Sequence, residues 1–218
     1  MKIFIDSANI EKIKKLAEIG IIDGVTTNPT HLSKEGSSPT ELIKELTQII
    51  PGDISVEVTE KNPEKVYKQA REIANIAQNI AVKIPCHADY YPIIKKLVAE
   101  GIQINVTLVF SLMQALYMCK LGVKYISPFI GRLDDNGLDG IELVFHIRHM
   151  MDQYKYKTQI IASSIRSTEK FQESILAGAD VATVPVEIFE KSLEHPLTEQ
   201  GMERFLQDWQ KLGIKQFP

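Results

Sequence analysis

Short apolar runs alternate with amphipathic stretches from one end of the chain to the other. The runs end near Asp6, Thr27, Val58, Ile84, Thr107, Phe129, Ser163 and Val184, and apolar residues at helical spacing follow each of them. The seven intervals between run ends average about 25 residues, one strand plus one helix, so the pattern predicts a (β/α)8, or TIM, barrel. At 218 residues the chain is short for that fold, and its loops must be lean. Gly20, Gly101, Gly122 and Gly178 each follow a helical pattern and precede a strand, where a left-handed residue is expected. Helix starts are expected at Ser38-Pro39, Asn62-Pro63 and Ser167. Beyond the eighth strand, residues 198–212 read as one more helix, with Met202, Phe205, Leu206, Trp209 and Leu212 on one face. That stripe must pack across an end of the barrel or dock on a neighbouring subunit. No linker divides residues 1–218, which are expected to form a single barrel domain.

In a barrel, alternate side chains of each strand point inward and the rest face the helices. If Ile3 and Ile5, Val56 and Val58, Val82 and Ile84, Ile104, Val106 and Leu108, and Ile126 and Pro128 face out, then the inward set is Asp6, Glu57, Lys83, Asn105 with Thr107, and Ser127 with Phe129. Strand two adds Thr26, with Asn28 just past its end. Nearly all of these lie at the carboxyl ends of their strands, the face where barrel enzymes build active sites. Asn, Ser and Thr inside a barrel can simply satisfy one another. Two carboxylates and a lysine aimed at the same mouth are harder to account for without a polar ligand.

Lys83 is the most informative of the set, because it interrupts the otherwise apolar run Ile80-Ala81-Val82-Lys83-Ile84-Pro85. An unpartnered buried ammonium costs several kcal/mol, and the usual escape is loss of its proton, which leaves an amine able to attack a carbonyl. The plainer reading is a strand-end lysine that reaches solvent or pairs with a carboxylate.

Composition narrows the ligand. With 44% hydrophobic and 24% charged residues and a net charge of -3, the chain has the make-up of a globular protein and offers no basic footprint for nucleic acid or anionic membrane. The amino terminus meets Asp6 too early for a secretory signal, and no apolar stretch approaches the length of a membrane span, so a cytoplasmic protein is expected. Cys86 and Cys119 lack CxxC spacing and read as reduced thiols.

Past strand seven, Ser163-Ser164-Ile165-Arg166 occupies the loop where barrels commonly hold phosphate, and Arg132 follows strand six. Arginine suits phosphate through its fork of donors, and Ser164 can add a hydroxyl; rim salt bridges are the alternative. His146 and His149, with Glu142, mimic metal spacing but belong to an outer helix, and no metal is expected. His31, His87 and His195 form no cluster in sequence.

Taken in order, Phe4-Ile5-Asp6-Ser7-Ala8, Thr26-Thr27-Asn28-Pro29, Ser55-Val56-Glu57-Val58, Val82-Lys83-Ile84-Pro85, Asn105-Val106-Thr107-Leu108, Ser127-Pro128-Phe129-Ile130-Gly131-Arg132 and Ala162-Ser163-Ser164-Ile165-Arg166 closely resemble the transaldolase family. The length and the Phe205-Leu206-Gln207-Asp208-Trp209-Gln210 helix are similar to its small-subunit branch, which includes fructose-6-phosphate aldolase. The resemblance implies a Schiff base between Lys83 and a ketose phosphate, sedoheptulose 7-phosphate or fructose 6-phosphate. It implies Asp6 as the acid/base, and Glu57 with Thr107 around a catalytic water. Thr26, Asn28, Asn105, Ser127 and Phe129 would contact the three-carbon unit, and Arg132, Ser164 and Arg166 the phosphate, with Ser163 the neighbouring choice. The resemblance further implies that no cofactor is needed, that the setting is the pentose phosphate pathway, and that the assembly is a homo-oligomeric ring, a pentamer or decamer.

Aldolase members of the branch carry glutamine where this chain has Glu57 and tyrosine where it has Phe129, so both positions resemble the transferase type. Release of free dihydroxyacetone is the alternative activity. A barrel that binds sugar phosphates without turnover is a third reading, opposed by the complete Asp6, Glu57, Lys83 and Thr107 set.

Overall fold

The computed structural model describes residues 1–36 and 38–213. Eight parallel strands, β1 (Lys2–Asp6), β2 (Gly24–Thr26), β3 (Ile54–Glu57), β4 (Ile80–Pro85), β5 (Ile104–Val109), β6 (Tyr125–Pro128), β7 (Gln159–Ala162) and β8 (Val181–Val184), pair in sequence order, and β8 closes on β1. The helices around them are α1 (Ile10–Ala17), α2 (Pro29–Leu32), α3 (Pro39–Ile49), α4 (Pro63–Ala74), α5 (Tyr91–Ala99), α6 (Leu112–Leu121), α7 (Ile130–Asp134), α8 (Gly140–Tyr154), α9 (Thr168–Leu176), α10 (Val186–Ser192) and α11 (Pro196–Lys211). This is the expected (β/α)8 barrel with an added carboxyl-terminal helix. Short extra helices, α2 and α7, follow β2 and β6 on the mouth side.

Local chemistry sets the boundaries. Gly20, Gly101, Gly122 and Gly178 all take positive φ, between 77° and 82°, ending the turns that precede strands. Asn62 Oδ1 accepts from the backbone N–H groups of Glu64 and Lys65 to start α4, and Ser167 does the same for Lys170 at α9. Ser38, in contrast, makes no capping hydrogen bond at α3, which Pro39 starts alone.

Two apolar layers result. Outward strand residues such as Ile5, Val82, Val106 and Ala182 pack with the inner faces of the helices, for example Leu46, Val66, Ile94 and Ile147. Inside the barrel, Phe4, Ala81, Tyr125, Ile161 and Val181 form a separate plug. On each of those five strands the next inward residue toward the carboxyl end is polar: Asp6, Lys83, Ser127, Ser163 and Thr183. The barrel is therefore dry at its base and polar at its mouth. Tyr125 closes the base, donating to Asp53 Oδ2 at 2.6 Å, and burial followed by that contact holds its phenol well above the ordinary range.

Strand β5 departs from simple alternation. A bulge between Val106 and Val109 gives Leu108 a φ of 58°, so Leu108 does not face the helices as expected but lines the mouth, and Val109 takes the buried outward place. Helix α11 begins two residues earlier than expected, with His195 as its cap, and none of its residues is buried. It does not pack across the barrel end. Among the described residues, no helix is long and apolar enough to cross a membrane.

Candidate active site

Strand register assembles the site. The sheet aligns Asp6 with Thr26, Glu57 with Lys83, and Lys83 with Asn105, and residues so aligned on parallel strands share one face. All of these except Glu57 line a cavity of about 210 Å³ at the carboxyl ends of the strands. It is lined by Asp6, Thr26, Asn28, Lys83, Asn105, Ser127, Phe129, Arg132, Ser163, Ser164, Arg166 and Thr183. A second cavity of about 390 Å³ shares Asn28, Lys83, Phe129 and Arg132 and adds Glu57, His31 and Leu108. A larger apolar groove of 730 Å³ beside α3 and α4 contains, of the candidate residues, Glu57 alone.

Lys83 lies in the floor, its side chain 7% exposed, so it does not reach solvent. Nζ stands 3.0 Å from Glu57 Oε2 and donates to Thr27 O at 3.1 Å. The amine therefore has two acceptors, and of the readings left open by the sequence it is buried and paired with a carboxylate. Beside it, Ser127 Oγ donates to Asn105 Oδ1 at 2.8 Å, and Asn105 Nδ2 donates to Ser55 Oγ at 2.8 Å. Asp6 Oδ1 accepts from Thr26 Oγ1 at 3.0 Å, and Thr26 Oγ1 is 2.5 Å from Thr183 Oγ1.

Thr107 stands apart from this lining. It is fully buried on β5 and its Oγ1 has no hydrogen-bond partner among the described residues. A hydroxyl left so costs about 1–3 kcal/mol, which makes it a site for something the protein atoms alone do not supply.

The β6 and β7 ends form the rim. Ser163 is bridged to Phe129 as an extension of the sheet, Ser164 follows with φ 59°, and Gly131 N donates to Ser164 O at 3.0 Å. A Cβ at Gly131 would meet Ser164 O at 2.4 Å and Arg166 Nε at 2.7 Å, so only glycine lets these groups approach. Two non-glycine residues at positive φ, Leu108 and Ser164, flank the mouth, a concentration of strain typical of functional sites. Ser163 Oγ is engaged with Ile161 O at 3.0 Å. Arg132 makes no ion pair among the described residues and lies 5.2 Å over the Phe129 ring. Arg166 is paired with Asp135.

Three mouth residues were not singled out from the sequence. Thr183 follows Val181 on the inward side of β8, and the alternation used for the other strands would have found it. Leu108 needed the bulge. His31, with Nε2 3.6 Å from Asp6 Oδ1, sits on a helix after β2 where no strand rule applies. The outer-helix pair His146 and Glu142 lies exposed on α8, 4.0 Å apart. Burial pushes the Cys86 thiol up, despite Tyr91 Oη 3.7 Å away, which makes it a poor nucleophile.

A family model described as Transaldolase/Fructose-6-phosphate aldolase matches residues 3–217. A protein of Lactiplantibacillus plantarum named probable transaldolase is 50% identical over 99% of this chain and 100% of its own length. Proteins with the same name from Thermodesulfovibrio yellowstonii and Bartonella henselae are 47% and 46% identical, covering 97% and 98% of this chain and 99% and 98% of their own. Among solved structures, a mandelate oxidase matches with a TM-score of 0.59 at 10% identity over 84% of this chain. The chain spans 64% of that oxidase, and the likeness is one of fold alone.

Proposed function

From the premise that the chain belongs to the Transaldolase/Fructose-6-phosphate aldolase family, we propose that it is a transaldolase working through a Schiff base on Lys83. It moves a dihydroxyacetone unit from a ketose phosphate, sedoheptulose 7-phosphate or fructose 6-phosphate, to an aldose phosphate. The observation that carries this reading is Lys83 Nζ, sunk in a polar cavity 3.0 Å from a carboxylate and opening toward Arg132 and Ser164.

The chemistry follows from the chain's own groups. Proton transfer from Nζ to Glu57 Oε2 frees the amine, which adds to the ketose carbonyl; loss of water leaves a protonated imine. Asp6 takes the proton from the hydroxyl on the far carbon of the bond to be cleaved. That bond's electrons pass into the imine, so the aldehyde departs and an enamine stays on Lys83. An acceptor aldehyde reverses these steps, with Asp6 returning the proton, and water releases the product from Lys83. The unpartnered Thr107 hydroxyl, together with Glu57, suits a water for imine formation and hydrolysis.

Asn28, Asn105, Ser127 and Thr26 hold the hydroxyls of the three-carbon unit. Arg132, without a carboxylate partner among the described residues, binds the phosphate, joined by Ser164 and by Arg166 if it exchanges Asp135 for it. Remote phosphate binding fixes the reacting aldehyde. Phe129 lines both cavities and has no proton to give the enamine, which favours transfer over release of dihydroxyacetone.

The same reading places the enzyme in the cytoplasm, in the pentose phosphate pathway, where phosphorylated sugars are retained and thiols such as Cys86 and Cys119 stay reduced. Residues 1–218 act as one domain. The uncovered apolar stripe of α11 supports a homo-oligomeric ring.

Borohydride reduction in the presence of fructose 6-phosphate should leave a three-carbon adduct on Lys83. Absence of that adduct would remove the proposal. Dihydroxyacetone production measured with and without an aldose phosphate separates transfer from lysis.

A further inference from the structure

Leu108 is held in a backbone conformation that leucine disfavours. Its φ of 58° lies in the left-handed region that glycine and asparagine take readily and larger side chains do not. Lys155 shares that conformation but closes the end of α8, where it is routine, whereas Leu108 lies within β5 and ends no helix. The bulge is the cause. Val106 and Val109 both pack outward among the helices, so Thr107 and Leu108 together occupy an interval that alternation fills with one residue. Thr107 is buried, and Leu108 is turned to the mouth.

There it joins an apolar wall. The 390 Å³ cavity that Lys83 lines takes charged groups from Glu57 and Arg132, and its apolar lining among the described residues is Pro29, Leu108 and Phe129. Phe129 N donates to Val109 O at 3.2 Å, which ties the residue after Leu108 to this wall. The Phe129 ring is contacted from two sides, edge-on by Phe110 with centroids 6.1 Å apart and by the Arg132 guanidinium 5.2 Å over its face. Phe110 N in turn donates to Gln114 Oε1 at 2.8 Å, in the first turn of α6. A strained leucine, with a braced ring beside it, thus shares a cavity with the nucleophilic lysine, and strain of this kind persists where it serves function.

We propose that Leu108 is a specificity-determining residue, turned into the mouth by the bulge so that it and Phe129 keep water from the enamine on Lys83 until the acceptor aldehyde arrives. The inference rests on the Schiff-base reading above and names a residue that decides between transfer and release. In release, water gives a proton to the nucleophilic carbon of the enamine, the nitrogen becomes a protonated imine, and the hydroxide left behind adds to the imine carbon. Dihydroxyacetone then departs and the Lys83 amine returns, with one water consumed. In transfer, the same nucleophilic carbon attacks the aldehyde instead. Keeping bulk water off that carbon slows release without opposing transfer.

The test is the ratio of dihydroxyacetone release to transfer in wild type, Leu108→Asn, Leu108→Gly and Leu108→Met. Asparagine and glycine both suit a φ of 58°, so they keep the bulge while removing the apolar bulk. Each should raise the ratio about tenfold. Leu108→Met keeps an apolar side chain of similar volume and should hold the wild-type ratio. A wild-type ratio in Leu108→Asn and Leu108→Gly would overturn the inference, as would an equal rise in Leu108→Met, which keeps the wall. Borohydride trapping with fructose 6-phosphate on the same samples separates the two readings. An adduct on wild-type Lys83 with an unmoved ratio rejects the role of Leu108 alone, whereas no adduct rejects the Schiff-base reading beneath it.

Discussion

Lys83 Nζ lies 3.0 Å from Glu57 Oε2, and the two residues are register partners on adjacent parallel strands. Main-chain hydrogen bonds of the β3–β4 ladder thus fix an amine and its proton acceptor side by side, with no dependence on a loop. The arrangement is preorganised: the ladder sets the spacing of the pair, and in the proposed mechanism one short proton transfer to Glu57 frees the amine.

Removing one member of the pair should cost stability as well as activity. Lys83→Met leaves the Glu57 carboxylate buried and unpaired, at about 3 kcal/mol, while Lys83→Met with Glu57→Gln should recover most of that loss. Urea denaturation measures both. Equal destabilisation of the single and double variants would show that the ion pair is not the source. Neither variant should turn over.

Gly131→Ala tests the rim. The new Cβ must displace Ser164 O or the Arg166 side chain, so KM for phosphorylated substrates should rise at least about tenfold, with a stability loss of about 1–3 kcal/mol. Unphosphorylated acceptors should be far less affected. Steady-state kinetics with paired phosphorylated and unphosphorylated aldehydes reads the difference.

The two serines separate by the same comparison. Ser163→Ala deletes a hydrogen bond to Ile161 O and should cost about 1 kcal/mol of stability with little change in KM. Ser164→Ala should leave stability nearly unchanged and raise KM for the phosphate-bearing substrate several-fold. The reverse outcome would move the phosphate contact to Ser163.

Phe205 and Leu206 are 74% and 58% exposed on α11, an expense that a lone chain in water has no reason to bear. Light scattering of the wild type should give a mass well above that of one chain. Phe205→Glu with Leu206→Glu should reduce it toward the monomer while leaving the circular dichroism of the barrel intact. A monomeric wild type would end the proposal of a ring.

Much of this architecture was legible in the order of residues, because period and parity are local properties. A lysine between Val82 and Ile84 must point opposite to them wherever the strand goes, and Gly122 or Gly178 ends a helix by its own backbone freedom. Strand ends, the alternation of strand and helix, and the inward direction of Asp6, Glu57, Lys83 and Asn105 follow from such rules; the short helices α2 and α7 do not. They do not say which inward residues touch.

Distances are where the tertiary structure decided. Barrel closure and register put Lys83 against Glu57 and Thr26 against Thr183, residues 157 apart in sequence, and left Thr107 with a buried hydroxyl that no described residue answers. The bulge at Leu108 reversed an alternation that the residue pattern supports, since an irregularity in strand pairing is a property of two strands and not of one. His31 was invisible for a related reason: the segment after β2 has no period to extrapolate, and only the closed barrel brings it beside Asp6. The order of residues determined which groups face inward; three-dimensional closure determined which become partners, because a chain specifies direction residue by residue but proximity only through the whole sheet.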